Sequence, residues 1–471
     1  MRHTIISFLR EALGRRRLLT GSAVVAGATA ASYLLGLLRD RMLAQHFGAT
    51  HILDAYNAAF LAPDLILNIF VAGALTAAFV PIFSDLRANP EQRNTFTDSV
   101  LNASLLTVIV AGCIVFALAP WLSHYIVPGF DTEARTLFVG LMRLLLISPI
   151  IFAISNTLGS ILVTEERFTW YSISAILYNA GTIAGIIWLA PQYGMYGVAL
   201  GTLCGAVAHL ISRLVGMRHL IYHWRPHIVF NGSWRRFIRL MVPKMIGQPV
   251  EQFMMLGFTM IASTISAGSV TVLNFAHNFQ SMPINMIGIT LALTAFPGLA
   301  KAAAAGDAKE FRTHLRFVSF LILGCAAIAA IVLYLIRTPL ISILFGGGAF
   351  TPEAVQATAM ALGIFALAIP TESWSQILAR GFYSMQNSVT PVVMSVIHLA
   401  IALGVSKFLL SFFSIPPQFG VNVLAFGFFL GSCVKTISLA LLIQNETRRW
   451  FNHNRKPTSP VEAGTTSEIE I

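Results

Sequence analysis

The chain has 471 residues, of which 56% are hydrophobic and only 11% charged, with a formal net charge of +11. Soluble domains carry roughly a quarter charged residues, so this composition excludes an ordinary soluble enzyme. It indicates an all-α polytopic membrane protein whose basic residues lie between apolar runs, which excludes nucleic acid as a partner.

A helix needs about 20 apolar residues to cross the hydrocarbon core. Residues 1–20 form a basic N-terminal segment with Arg15, Arg16 and Arg17, and the apolar patch ahead of them does not read as a cleavable signal peptide. Twelve apolar runs then follow, near 21–40, 52–83, 97–119, 136–162, 168–190, 195–215, 238–264, 269–299, 316–336, 354–384, 390–413 and 419–443. Pro63, Pro149, Pro283 and Pro370 fall inside the longer runs and predict kinks. Residues 446–471 are predicted to be a disordered tail, rich in Ser, Thr and Glu from Pro457 onward. The basic residues at and between the run ends collect on one side, including Arg213 at the end of the sixth run and Arg218 and Arg225 after it. Both termini are therefore expected to be cytoplasmic. Cys113, Cys204, Cys325 and Cys433 lie far apart in apolar sequence and read as small buried hydrophobes rather than as a disulfide or metal set.

The two halves overlay at a near-constant shift. Gly48 falls on Gly268, Leu53 on Leu273 and Pro63 on Pro283, each 220 residues apart; Pro149 falls on Pro370 and Thr169 on Thr390 at 221. Each half has six runs, so both enter the membrane from the same side and form parallel repeats. The predicted architecture is two six-helix lobes, residues 21–222 and 223–445, around a central, polar and partly positive cavity.

Charges inside a membrane are costly and usually face a cavity. Arg39 and Asp40 end the first run and are the strongest functional candidates, because a guanidinium binds phosphate or carboxylate bidentately. Adjacent helix positions diverge by about 100°, so one of the two can face the cavity while the other locks a neighbouring helix. Asp54 and Asp64 lie in the second run, and Asp64, beside Pro63, reads equally as a helix cap. Lys244 and Glu251 are two turns apart in the seventh run and read as an ion-coupling pair or a mutually neutralised structural one. Arg143, Lys407 and Lys435 can snorkel or pair locally. Glu372 is a further intramembrane candidate, and Arg380 reads as an interfacial anchor or a gate. No G-x-x-x-x-G-K-[ST] loop occurs, so energy is expected from the membrane potential or an ion gradient. "FGGGAF" at 345–350 reads as a flexible outer turn.

"LLGLLRDRMLAQHFGATHILDAYNAAFLAPDLILNIFVAGALTAAFVPIFSD", "GSVTVLNFAHNFQSMPINMIGITLALTAFPGLAKAAAAGD" and "LFGGGAFTPEAVQATAMALGIFALAIP" followed by "QILARGFYSMQNSVTP" carry a resemblance. They resemble, in order, the first two, the eighth and the tenth spans of the MurJ (MviN) lipid II flippases of the MOP superfamily. The resemblance implies a bacterial inner-membrane flippase, not an enzyme and without a cofactor. Such a flippase moves a polyprenyl-pyrophosphate-linked peptidoglycan precursor outward by alternating access, with membrane lipids and a coupling ion, Na+ or H+, as partners. It gives Arg39 to the pyrophosphate and gives Asp40 and Asp54 an orienting or charge-relay role; beside it, the residues themselves offer Lys244, His277 and Asn278 as assisting substrate contacts and Glu251 as a further relay group. Tyr33, Leu67-Asn68 and His277-Asn278 stand where the family commonly places cations. The alternatives are a cation-coupled exporter of another lipid-linked glycan or an amphipathic small molecule, and a degenerate, non-transporting scaffold for envelope synthesis.

Overall fold

The computed structural model describes the backbone of residues 2–218, 220, 222, 224–247 and 250–453. The side chains of residues 2–23, 71–77, 243, 244, 246, 247 and 453 lie outside the described set. The described elements are all helices, joined by turns and loops, with no strand among the described residues. The first half holds α1 (Arg2–Phe47), α2 (His51–Ala59), α3 (Leu61–Leu67), α4 (Gly73–Asp85), α5 (Pro90–Ile126), α6 (Thr132–Leu145), α7 (Ile147–Thr164), α8 (Phe168–Ala184), α9 (Ala190–Tyr193) and α10 (Met195–Met217). The second holds α11 (Gly232–Gly247), α12 (Val250–Ser263), α13 (Ser269–Pro283), α14 (Thr290–Ala305), α15 (Ala308–Phe345), α16 (Pro352–Leu367), α17 (Ile369–Ser384), α18 (Val389–Phe412) and α19 (Gly420–His453).

Among the described residues nine stretches are long and apolar enough to cross a membrane, and ten if α16 and α17, bent by 40°, count as one. These ten coincide with ten of the twelve apolar runs. The other two are the first run, which lies in α1, and the seventh, whose described residues belong to α11 and α12. Two boundaries differ from the sequence reading. The basic residues 2–20 continue helically into the first run, and α19 carries residues 446–453 of the expected tail.

The prolines explain the breaks. A proline ring clashes with the carbonyl four residues back and removes one hydrogen bond. The helix is interrupted at Phe60 ahead of Pro63, at Leu146 ahead of Pro149 and at Ala368 ahead of Pro370. After Pro63 and Pro283 the chain passes through wider π-type turns, Asn68–Ala72 and Ile284–Ile289, which overlap on the 220-residue shift.

By contact density the chain falls into two compact units. One is Met1–Gln280, Val332–Ala366 and His398–Gly431; the other is Ser281–Ile331, Leu367–Ile397 and Ser432–Ile471. Their boundaries differ from the lobes read from the repeat, because α13, α15, α18 and α19 each run from one unit into the other.

In the first unit, Phe79 stacks on Phe83 and Phe96 at centroid distances of 5.2 and 5.4 Å, and Phe237 meets Phe96 edge-on at 5.9 Å, within an apolar core. Helices α8 and α10 meet backbone to backbone: a Cβ on Gly185 would lie 2.7 Å from Gly201 Cα, and one on Gly181 2.2 Å from Gly205 Cα. Such small-residue seams let helices approach closely in lipid, where no hydrophobic drive joins them. The segment between α10 and α11 is tied down on α5. Tyr222 donates to Asp98 Oδ1 at 2.7 Å, and Asn102 Nδ2 donates to the carbonyls of Arg225 and His227. Burial and the Asp98 carboxylate raise the Tyr222 hydroxyl above its ordinary pKa. Arg213, expected at the membrane end of its run, is buried within α10, where Nη1 donates to Ser155 O at 2.6 Å and Asn156 Oδ1 at 3.0 Å. Cys113 and Cys204 are exposed rather than buried.

Two interlocked joints tie the turns and loops of this unit together. The turn after α1 meets the loop ahead of α16: Ala349 N donates to Gln45 O at 2.8 Å, and a Cβ on Gly48 would lie 2.3 Å from Ala349 O. The glycine-rich loop is thus a fixed clasp, not a loose turn. The turn after α12 meets the loop ahead of α6: Gly129 N donates to Ser263 Oγ at 3.3 Å. Phe130 and Phe350, both buried, sit 220 residues apart in these two loops. Asp131 and Thr351 cap the helices that follow through Ala134 N and Ala354 N. The turns also touch each other, since a Cβ on Gly268 would lie 2.3 Å from Ala49 O.

Gly268 has φ +87°, a region costly for residues with a Cβ. Gly268→Ala is expected to destabilise the protein by about 1–3 kcal/mol from backbone strain alone, with the clash on Ala49 added. Gly27, which has nothing within 4 Å, is the control: Gly27→Ala should melt no lower than wild type. Thermal melts in detergent compare the two.

Candidate functional site

The first unit holds a cavity of about 490 Å³ whose walls come from α1, α2, α3, α7, α8, α10, α12 and α13. It brings together Arg39, Asp40, Asp64, His277 and Asn278, which lie far apart in sequence.

Arg39 and Asp40 pair with each other instead of dividing between cavity and neighbouring helix. The long side chain curls back, and Nε and Nη2 donate to Asp40 Oδ1 at 2.9 and 2.7 Å. Nη1 donates to Asn179 Oδ1 of α8 at 3.1 Å. Asn179 is fixed in turn by donating to the carbonyl and hydroxyl of Ser32 at 3.2 and 3.1 Å. The Arg39 side chain is 27% exposed. A guanidinium has five N–H donors; these contacts use three, leaving two for a ligand. The α8–α10 glycine seam carries Asn179 toward α1 and places Thr182 Oγ1 3.1 Å from Thr202 Oγ1, which also meets the Tyr56 hydroxyl at 3.0 Å.

Asp54 has a different task from the relay expected of it. It is buried, 1% exposed, and does not line the cavity. Its carboxylate accepts from Gly268 N, Thr271 N and Thr271 Oγ1, each at 2.7 Å. It therefore caps the N-terminus of α13 from α2, where orphan donors and the helix dipole favour an anion. Asp64, read as cap or cavity residue, is exposed on the cavity wall.

His277 lies edge-on to Phe365 and Phe428 at 5.9 and 6.1 Å, and Asn278 is exposed to the cavity. Lys244 belongs to α11, and its side chain lies outside the described residues. Glu251 is exposed in α12 and absent from the cavity wall. Residues 248 and 249, between the described ends of α11 and α12, lie outside the described set, so the pairing of Lys244 with Glu251 falls outside the described residues. Among the described residues the wall carries one guanidinium, of Arg39, and two carboxylates, of Asp40 and Asp64.

Sequence reasoning missed Tyr56, Tyr178, Gln252 and Asn274 on this wall, and Asn179, which holds Arg39 from α8. Asn179 alone had a signal, as a lone amide deep in an apolar run.

In the second unit Lys435 Nζ meets Glu372 Oε2 at 2.6 Å, both side chains at most a tenth exposed. Arg380 lies over the Tyr383 ring at 5.8 Å. In the first unit Arg143 pairs locally, donating to Phe116 O at 3.1 Å with its guanidinium over the Phe116 ring.

A sheath of apolar helices around a polar cavity defines the class: a polytopic helical membrane protein built like a transporter. Residues 43–456 match the family model described as lipid II flippase MurJ, and the chain belongs to that family. It is 27% identical over 433 residues to the lipid II flippase MurJ of Burkholderia cenocepacia, covering 88% of this chain and 82% of that one. It is likewise 27% identical over 397 residues to a probable lipid II flippase MurJ of Rhizobium meliloti, covering 80% and 73%. Among solved structures, a lipid II flippase MurJ in an inward closed conformation superposes with a TM-score of 0.76 at 22% identity, covering 91% of this chain and 90% of that one. An inward-facing multidrug resistance MATE family transporter of the MOP superfamily also gives 0.76, at 14% identity, covering 90% and 96%. The fold is shared across both.

Removing one partner of a buried ion pair strands the other charge, at a cost of about 3–5 kcal/mol, whereas removing both is often near neutral. Lys435→Met should therefore lower the melting temperature sharply, and Glu372→Gln/Lys435→Met should recover most of the loss.

Proposed function

We propose that this chain is a flippase that moves lipid II, a polyprenyl-pyrophosphate-linked peptidoglycan precursor, outward across the bacterial cytoplasmic membrane by alternating access. The observation that carries the reading is Arg39: a guanidinium held on two sides, in a polar cavity, with two donors left over. Pre-oriented donors of this kind suit a pyrophosphate, because the ordering cost is met before the ligand arrives. Asp40 and Asn179 orient the guanidinium, while Asn278 and His277 supply further polar contacts and Lys244 a second cation. Family membership supports the same substrate, as do relatives named lipid II flippases. The two six-helix repeats, 21–222 and 223–445, rock about the cavity. Both termini lie in the cytoplasm, on the side where basic residues collect. A gradient of Na+ or H+, or the membrane potential, drives the cycle, and Arg380 gates the inner mouth.

One observation favours a second reading, the cation-coupled exporter of another lipid-linked glycan or an amphipathic small molecule. Asp64 is exposed to the cavity while Arg39 is already paired, an arrangement hospitable to a cation.

Transport of labelled lipid II into vesicles, together with growth of a flippase-depleted strain, tests the proposal. Arg39→Ala should reduce transport at least about tenfold, since a charge-assisted contact contributes about 1.5–3 kcal/mol; Arg39→Lys should fall between. Wild-type rates in Arg39→Ala reject the site. Drug efflux without lipid II transport selects the second reading.

A further inference from the structure

The second unit has its own groove, of about 430 Å³, between α15, α17 and α19. Three arginines stand along it: Arg312 and Arg316, one turn apart on α15, and Arg448 on α19. All three are exposed, and none has an ion-pair partner among the described residues. Beyond Arg316 the same face of α15 turns apolar with Phe320, 81% exposed, and Leu323. From Arg312 to Leu323 the helix rises roughly 16 Å. The groove thus grades from three positive charges to an apolar channel along one direction. Trp374 lines it as well, and its indole Nε1 is buried with no acceptor, although a buried indole N–H usually finds one.

Arginines serving only as interfacial anchors would neither converge on one groove nor leave a buried donor orphaned beside it. The polarity gradient is that of an amphiphile, and the donor set is that of a phosphate. Basic pockets between membrane helices bind anionic headgroups by this chemistry.

We infer that this groove is a binding site for an anionic bilayer phospholipid, its phosphodiester held by Arg312, Arg316 and Arg448 and its first acyl carbons lying along Phe320 and Leu323. The site is separate from the cavity of Arg39, and the inference does not depend on which substrate that cavity carries.

The purified full chain in a neutral detergent tests it, with melting followed against dioctanoyl phosphatidylglycerol, dioctanoyl phosphatidylcholine and inorganic phosphate. Phosphatidylglycerol should raise the melting temperature, and the other two should not. Each arginine converted to glutamine should weaken the effect about fivefold, and Arg312→Gln/Arg316→Gln/Arg448→Gln should abolish it. A second readout needs no charge change and covers a triple variant that fails to fold. Phosphatidylglycerol brominated near its headgroup should quench tryptophan emission beyond the level reached by the brominated choline lipid, and Trp374→Phe should remove that excess. Equal effects of the two lipids, a shift by phosphate alone, a triple variant that responds like wild type, or quenching unchanged in Trp374→Phe would each overturn the assignment.

Discussion

Hydrocarbon offers no hydrogen bonds, so each polar group that a helix carries into the bilayer must be answered by another group of the protein. The partners are consequently specific and distant. Asp54 of α2 answers the orphan amides of α13 across 214 residues. Lys435 of α19 answers Glu372 of α17 across 63. Asn179 of α8 answers Arg39 of α1 across 140. Each pairing fixes two helices at one depth and one rotation, which apolar packing alone leaves degenerate.

The same constraint separates structural from functional charge. Asp54 is buried and its carboxylate is occupied by three donors at 2.7 Å, away from the cavity. Arg39 is held as firmly but retains donor capacity and some exposure. Both are charged residues near the start of a family-like motif, yet one closes the bundle and the other faces its cavity. Satisfied valence, more than location in an apolar run, tells them apart.

The features legible in the sequence were those with local causes. Run length marked the spans, prolines marked the helix breaks at Phe60, Leu146 and Ala368, and the 220-residue shift foretold matching elements. The repeat reached further than the residues first aligned, since Phe130 and Phe350 and their capped helices obey it too. Pairings made through space were not legible. Nothing in "LDAY" says that its aspartate caps a helix two hundred residues away. Arg213 looked like a loop cation because it ends its run, yet its partners are Ser155 and Asn156 on α7. The "FGGGAF" turn looked loose because glycine is permissive alone; against Gln45 it is clamped.

The seam between α8 and α10 has a consequence at the level of the gene. Gly185 and Gly201 touch through their α-carbons, with no room for even a methyl group. Glycine codons share their first two bases, and every single-nucleotide missense change from them encodes a residue with a β-carbon. Natural variation therefore has no gentle step available at these two positions: each single missense change sets a β-carbon into a space that only hydrogen fills.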